Sequence, residues 1–147
     1  MGTGNGEIAL KAAEKGADVT AADINPEAIE YSSRKAEKKG LKDRIKFKET
    51  DLFQEIEDKF DIVIFNPPYL PGEEDIGDQE IWQGGEKGTE VTEKFLEKVD
   101  QHLKKGGTVL TVGSSKAELE GLEEKYRLDT VKKKQLWFED LKLLKMG

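Results

Sequence analysis

The sequence predicts an α/β protein with a mostly parallel sheet and helices on both faces. Three observations predict it. Helical and strand-like apolar spacings alternate along the chain, which argues for strands joined by crossover helices. Polar residues close successive strands at Asp23, Asp51 and Asn66, the end at which an open parallel sheet places its ligands. A glycine-rich loop, Gly2-Thr3-Gly4-Asn5-Gly6, runs straight into the first helix.

The elements follow in order. Apolar spacing from Glu7 to Lys15 is helical, and Gly16 is placed to end that helix. Ala17 to Asp23 is a buried strand ending on an acid. Asn25 is a suitable N-cap and Pro26 suits the first turn of a helix that Gly40 follows. Arg44 to Asp51 alternates as a strand does, and Phe60 to Asn66 is a continuous apolar run of the kind buried on both faces. Gly88 to Gly107 is a long amphipathic helix closed by glycines. Gly107 to Gly113 is a strand and Ser115 to Tyr126 a helix. The tail is a pair of strands around Trp137 to Asp140, adding an antiparallel hairpin at one edge. No strand precedes Gly2, although a loop of this type normally follows one; the first central strand is expected to be missing by N-terminal truncation.

Composition narrows the field. At 147 residues the expectation is a single domain over 1–147 with one core. A net charge of -7 disfavours a large nucleic-acid footprint. There is no cysteine, hence no disulfide or thiolate metal site, and the lone His102 makes no zinc cluster, so no metal is expected. No apolar run has the length of a membrane span and no signal-peptide core opens the chain; a cytoplasmic location is expected. The lysine-rich stretches around Lys38 and Lys132 read as solvated faces, and His102 as a surface residue late in its helix.

Alternating glycines let the backbone take positive φ and let a ligand lie against the main chain, while the helix start offers N–H groups. Asp23 stands where a carboxylate accepts both hydroxyls of a ribose; its alternative is a helix-flanking acid. Asp51 is placed for an adenine amino group with Leu52 packing on the ring; its alternative is an N-cap for a helix beginning at Leu52. Together they point to an adenine nucleoside. The spacing G-x-G-x-G, rather than G-x-G-x-x-G, favours S-adenosylmethionine over a dinucleotide. In Asn66-Pro67-Pro68-Tyr69 an amide side chain leaves a buried strand ahead of two residues without N–H donors. The Asn66 amide and the Pro67 carbonyl suit a planar –NH2 group, walled by Tyr69.

On these motifs the chain resembles the class I, Rossmann-like S-adenosylmethionine-dependent methyltransferases of the N/D-P-P-Y group. Within it the chain is most similar to the HemK family, protein-(glutamine-N5) methyltransferases of the Gly-Gly-Gln motif in class 1 peptide-release factors. The stretch from Ile81 to Leu96 and the closing strand pair carry that similarity. The resemblance implies a cofactor held by Gly2, Thr3, Gly4, Gly6, Asp23, Ile24, Asp51, Leu52 and Asn66. It implies Asn66, Pro67 and Tyr69 as catalytic, and Asn66, Pro67, Pro68, Tyr69 and Trp82 around the substrate, although Trp82 suits packing under its loop equally well. Lack of the helical N-terminal domain of bacterial members resembles the compact archaeal and eukaryotic branch, which implies a small zinc-binding activator subunit as partner and a role in translation termination. Two rivals remain: a methyltransferase of the exocyclic amine of adenine or guanine in nucleic acid, and an inactive truncated domain that serves as a binding partner.

Overall fold

The structure, a computed structural model, describes residues 1–69 and 87–147. They form two compact units, Met1–Glu57 and Asp58–Gly147.

The first unit is built from α1 (Glu7–Glu14), β1 (Val19–Asp23), α2 (Pro26–Lys38) and β2 (Ile45–Glu49), with one 3₁₀ turn at Lys42–Arg44. β1 and β2 pair in parallel, Val19 with Ile45 through Asp23 with Glu49. The Asn25 side chain accepts from Glu27 N at 2.9 Å and Pro26 occupies the first turn, so α2 begins where its sequence predicts. Ala9, Leu10, Ala13, Ala21, Ala36 and Ile45 form the core, with Val19, Leu41 and Phe47 packed on it. Small alanines at these contacts let both helices lie close to a two-stranded ribbon.

The second unit contains β3 (Phe60–Phe65), α3 (Glu90–Val99), β4 (Leu103–Ser114), α4 (Glu120–Lys125), β5 (Asp129–Gln135) and β6 (Asp140–Met146). Its sheet has the order β3-β4-β6-β5. β3 and β4 are parallel, while β6 runs antiparallel to both of its neighbours, as the predicted closing hairpin requires. One sheet face is buried by α3, whose Phe95 ring stands 4.7 Å from that of Phe65. Leu96, Val99, Val109 and Leu144 are sealed in the same core.

Three local expectations, and one alternative reading, are corrected. The helix after residue 88 stops at Val99, and Leu103 already pairs with Phe60 in β4. Past it Lys104 reaches Asp61 at 2.8 Å across the paired strands, and Gly106 turns with φ 77. The helix predicted from Ser115 shrinks to Glu120–Lys125, since Ser114 draws the intervening residues into a turn through Lys116 N and Ala117 N. No helix follows Asp51; the stretch from Leu52 to Glu55 is a series of turns. Nor is β3 buried on both faces: Val63 and Phe65 are buried, but Ile62, on the alternate face, is 58% exposed. Continuous apolarity cannot separate one covered face from two.

Candidate functional site

In the first unit, Gly2, Gly4 and Gly6 have φ of 60, 50 and 77. These values lie in the left-handed region that disfavours side chains, so the alternating glycines are a backbone requirement. Thr3 N donates to Ala22 O at 2.9 Å and Gly6 N to Thr3 O at 2.8 Å, folding the loop along the end of β1. Gly6 abuts α2: a Cβ there would stand 2.8 Å from Ser32 Cβ. At Gly4 nothing lies within 4 Å of the equivalent point, so that side of the loop is open.

Asp23 joins the loop to the strand end. Its Oδ2 accepts from Gly4 N at 2.8 Å and its Oδ1 from Asn25 N at 3.0 Å. The carboxylate therefore serves the turn and the loop together. Each oxygen carries a second lone pair, leaving acceptor capacity for two further donors. Ile24 beside it is 66% exposed, an apolar surface with no role in the core.

At the end of β2, Thr50 N donates to Asp23 O at 2.9 Å, and Thr50 Oγ1 accepts from Glu55 N at 3.1 Å. The predicted adenine pair follows. Asp51 is exposed and accepts from Gln54 Nε2 at 3.3 Å. With no helix after it, Asp51 is not an N-cap, and the alternative considered for it falls. Leu52 has φ 52, a left-handed conformation uncommon for a leucine, as does Arg127 just past the end of α4. The first unit thus brings Gly2, Thr3, Gly4, Gly6 and Asp23 together, with the Asp51-Leu52 turn at the next strand end.

In the second unit, Asn66 leaves β3 exposed, Pro67 is buried, and Pro68 and Tyr69 are half-buried. Burial pushes the Tyr69 hydroxyl up from its ordinary value, and the nearby Glu139 carboxylate adds to the shift. Tyr69 is thus a neutral phenol at physiological pH. Trp82 lies outside the described residues.

Two residues at this end of the sheet escaped sequence reasoning. Glu139 is buried and accepts from Ser114 Oγ at 2.5 Å, tying the β5–β6 turn to the end of β4. Nothing in the sequence separates Glu139 from an ordinary turn acid. Elsewhere in this unit a depression of about 630 Å³, lined by Lys87, Glu93, Leu119 and Lys125 among others, contains none of the predicted residues.

Comparison with known proteins gives a consistent account. The model of the family described as Methyltransferase small domain matches residues 1–138, spanning both units. A Methanocaldococcus jannaschii protein, named as a candidate protein N5-glutamine methyltransferase, is 38% identical over 120 residues, covering 78% of this chain and 60% of its own length. A release factor glutamine methyltransferase of Streptococcus pneumoniae is 33% identical over 120 residues, with 74% of this chain and 42% of that protein covered. The chain therefore spans less than two thirds of these relatives. Among solved structures, a Thermus thermophilus 16S rRNA methyltransferase in complex with AdoMet and guanosine has a TM-score of 0.74 at 24% identity, over 100% of this chain and 36% of that one. That likeness fixes the fold as the class I methyltransferase type.

Proposed function

Because the chain belongs to the methyltransferase small-domain family, we propose that it transfers a methyl group from S-adenosyl-L-methionine to a protein glutamine amide. The target we propose is the Gly-Gly-Gln glutamine of a peptide-release factor. The observation that carries the reading is, in the second unit, an exposed Asn66 ahead of two prolines; in the first unit, taken by itself, the glycine loop closed on Asp23 supports it. The similarity to two glutamine methyltransferases favours a glutamine amide over a nucleobase, which presents the same planar –NH2. We place the protein in the cytoplasm, and a small zinc-binding activator subunit remains part of the same reading; no described helix is long and apolar enough to cross a membrane.

The first unit suits the cofactor. The open side at Gly4 admits a ligand against the backbone, Asp23 retains lone pairs for the ribose hydroxyls, and Leu52 offers an apolar plate for adenine beside the acceptor Asp51. When bound, S-adenosylmethionine supplies an electrophilic methyl group on a sulfonium. The chain's own task is to hold a weak nucleophile, because an amide lone pair is delocalised into its carbonyl. Asn66 Oδ1 and the Pro67 carbonyl accept the two amide hydrogens and aim the nitrogen. The same acceptors stabilise positive charge as it develops on that nitrogen. Pro67 and Pro68 fix φ, so the pair is set before substrate arrives. Tyr69, a neutral phenol, walls the slot without introducing charge.

The test separates binding from chemistry. Asn66→Ala is expected to keep cofactor affinity within about threefold and to lower transfer by at least about 100-fold, the loss of one oriented hydrogen bond in the transition state. Equal loss of affinity and rate would remove Asn66 from this role.

A further inference from the structure

The geometry points to the turn between β5 and β6 as the surface on which the protein substrate docks, the partner presenting to it an acidic face around an apolar hollow. This inference rests on the glutamine reading and names how its macromolecular substrate is held.

The turn is a tight four-residue bend, closed by Leu136 N donating to Glu139 O at 2.8 Å. At its tip Trp137 is 102% exposed and Phe138 66% exposed. Neither ring contributes a buried contact of the size that would justify an aromatic residue at a turn. Exposed aromatics grouped in this way mark interaction surfaces, and tryptophan is the commonest anchor of such surfaces.

Position connects this surface to the proposed chemistry. Phe65 pairs with Thr111, so Asn66 leaves β3 beside the last residues of β4. Ser114, at the end of β4, pairs with Leu141, immediately after the turn. The Asn66–Tyr69 segment and the turn thus emerge from one end of one sheet, with β3 and β6 two strand spacings apart, a lateral offset of roughly 10 Å. The buried Ser114–Glu139 hydrogen bond fixes the turn there. A protein placing a glutamine at Asn66 meets Trp137 with its neighbouring surface.

Charge selects the partner's chemistry. The chain carries net -7, yet this region is basic. Lys116 Nζ lies 4.9 Å from the Phe138 ring centroid, and Lys132, Lys133 and Lys134 are exposed along β5. They outnumber Asp129 and Asp140, the exposed acids of β5 and β6. A surface of two aromatic rings among lysines complements an apolar hollow ringed by carboxylates.

The experiment uses the full chain and three probes: an intact class 1 release factor, a short peptide containing its Gly-Gly-Gln motif, and poly-uridine RNA. Trp137→Ala is expected to raise KM for the intact factor at least about tenfold and to weaken its direct binding equally. Transfer to the peptide, cofactor affinity and the melting temperature are expected to stay unchanged, and Trp137→Phe to restore most of the loss. Reversing Lys132, Lys133 and Lys134 to glutamate is expected to weaken the same binding and remove its salt dependence. Unchanged binding of the factor by Trp137→Ala would overturn the inference, as would equal losses on factor and peptide. Loss of RNA binding instead of factor binding would overturn it too, making the partner a nucleic acid. Direct binding needs no turnover, so a wild-type chain that labels neither factor nor peptide sinks the glutamine reading, while the binding comparison still decides the docking surface.

Discussion

Replacing Asp23 by asparagine separates the two tasks assigned to its carboxylate. In the folded chain Oδ2 takes the Gly4 N–H at 2.8 Å and Oδ1 the Asn25 N–H at 3.0 Å. An amide retains one acceptor and turns an NH2 toward the other N–H, so one hydrogen bond is lost and two donors face each other. A net hydrogen bond is worth about 1 kcal/mol, and for this half-exposed group the combined cost is about 1–2 kcal/mol. For a chain of this size that lowers the melting temperature by roughly 2–8 °C, read by calorimetry. The ribose role adds a second cost that is invisible without ligand. Loss of a charged acceptor shared by two hydroxyls weakens S-adenosylmethionine binding by about 10- to 100-fold, measured by titration calorimetry at a temperature where the variant is folded. A lowered melting temperature with unchanged cofactor affinity would refute the ribose assignment and leave Asp23 as a loop brace. An unchanged melting temperature would refute the structural half.

Other outcomes follow from neighbouring geometry. Gly6→Ala combines a positive φ with a Cβ 2.8 Å from Ser32 Cβ and is expected to cost about 2–4 kcal/mol, whereas Gly4→Ala, with open space around it, costs about 1–2 kcal/mol and chiefly impairs cofactor binding; urea melts and titrations distinguish them. Thr111 Oγ1 is buried with no hydrogen-bond partner, so Thr111→Val is expected to stabilise the chain by about 1 kcal/mol in the same melts. The Glu90 carboxylate is held below the ordinary range by hydrogen bonds from backbone N–H groups, that of Lys87 first, so its contribution is present above the unfolded value and lost as pH falls through the lowered folded one. Glu90→Gln is therefore expected to melt below wild type at neutral pH and to converge with it in acid; a constant gap across that range would contradict the assignment.

Much of this was legible in the sequence, because several signals agreed at one place. Asn25 and Pro26 opened α2, alternating glycines suited positive φ, a buried run ending on an acid placed β1, and period-two spacing placed β2. The closing strand pair was likewise readable, since Trp137 to Asp140 interrupt two strand-like runs. Long-range competition was not readable. The lysines after Val99 have good helix propensity, yet the pairing of Leu103 with Phe60 carries them into β4. A hydroxyl at Ser114 unwinds the start of the following helix, and the same hydroxyl recruits Glu139, a contact between residues 25 positions apart. The exposure of Ile62 depends on which sheet face receives a helix, a tertiary fact that local apolarity does not encode.

The most direct measurement is mass spectrometry of a class 1 release factor after incubation with this chain and S-adenosylmethionine, beside a factor whose Gly-Gly-Gln glutamine is replaced and beside total RNA. The account predicts one methyl group on that glutamine, none on the replaced factor and none on RNA. Methylated RNA with an unmodified release factor would contradict it.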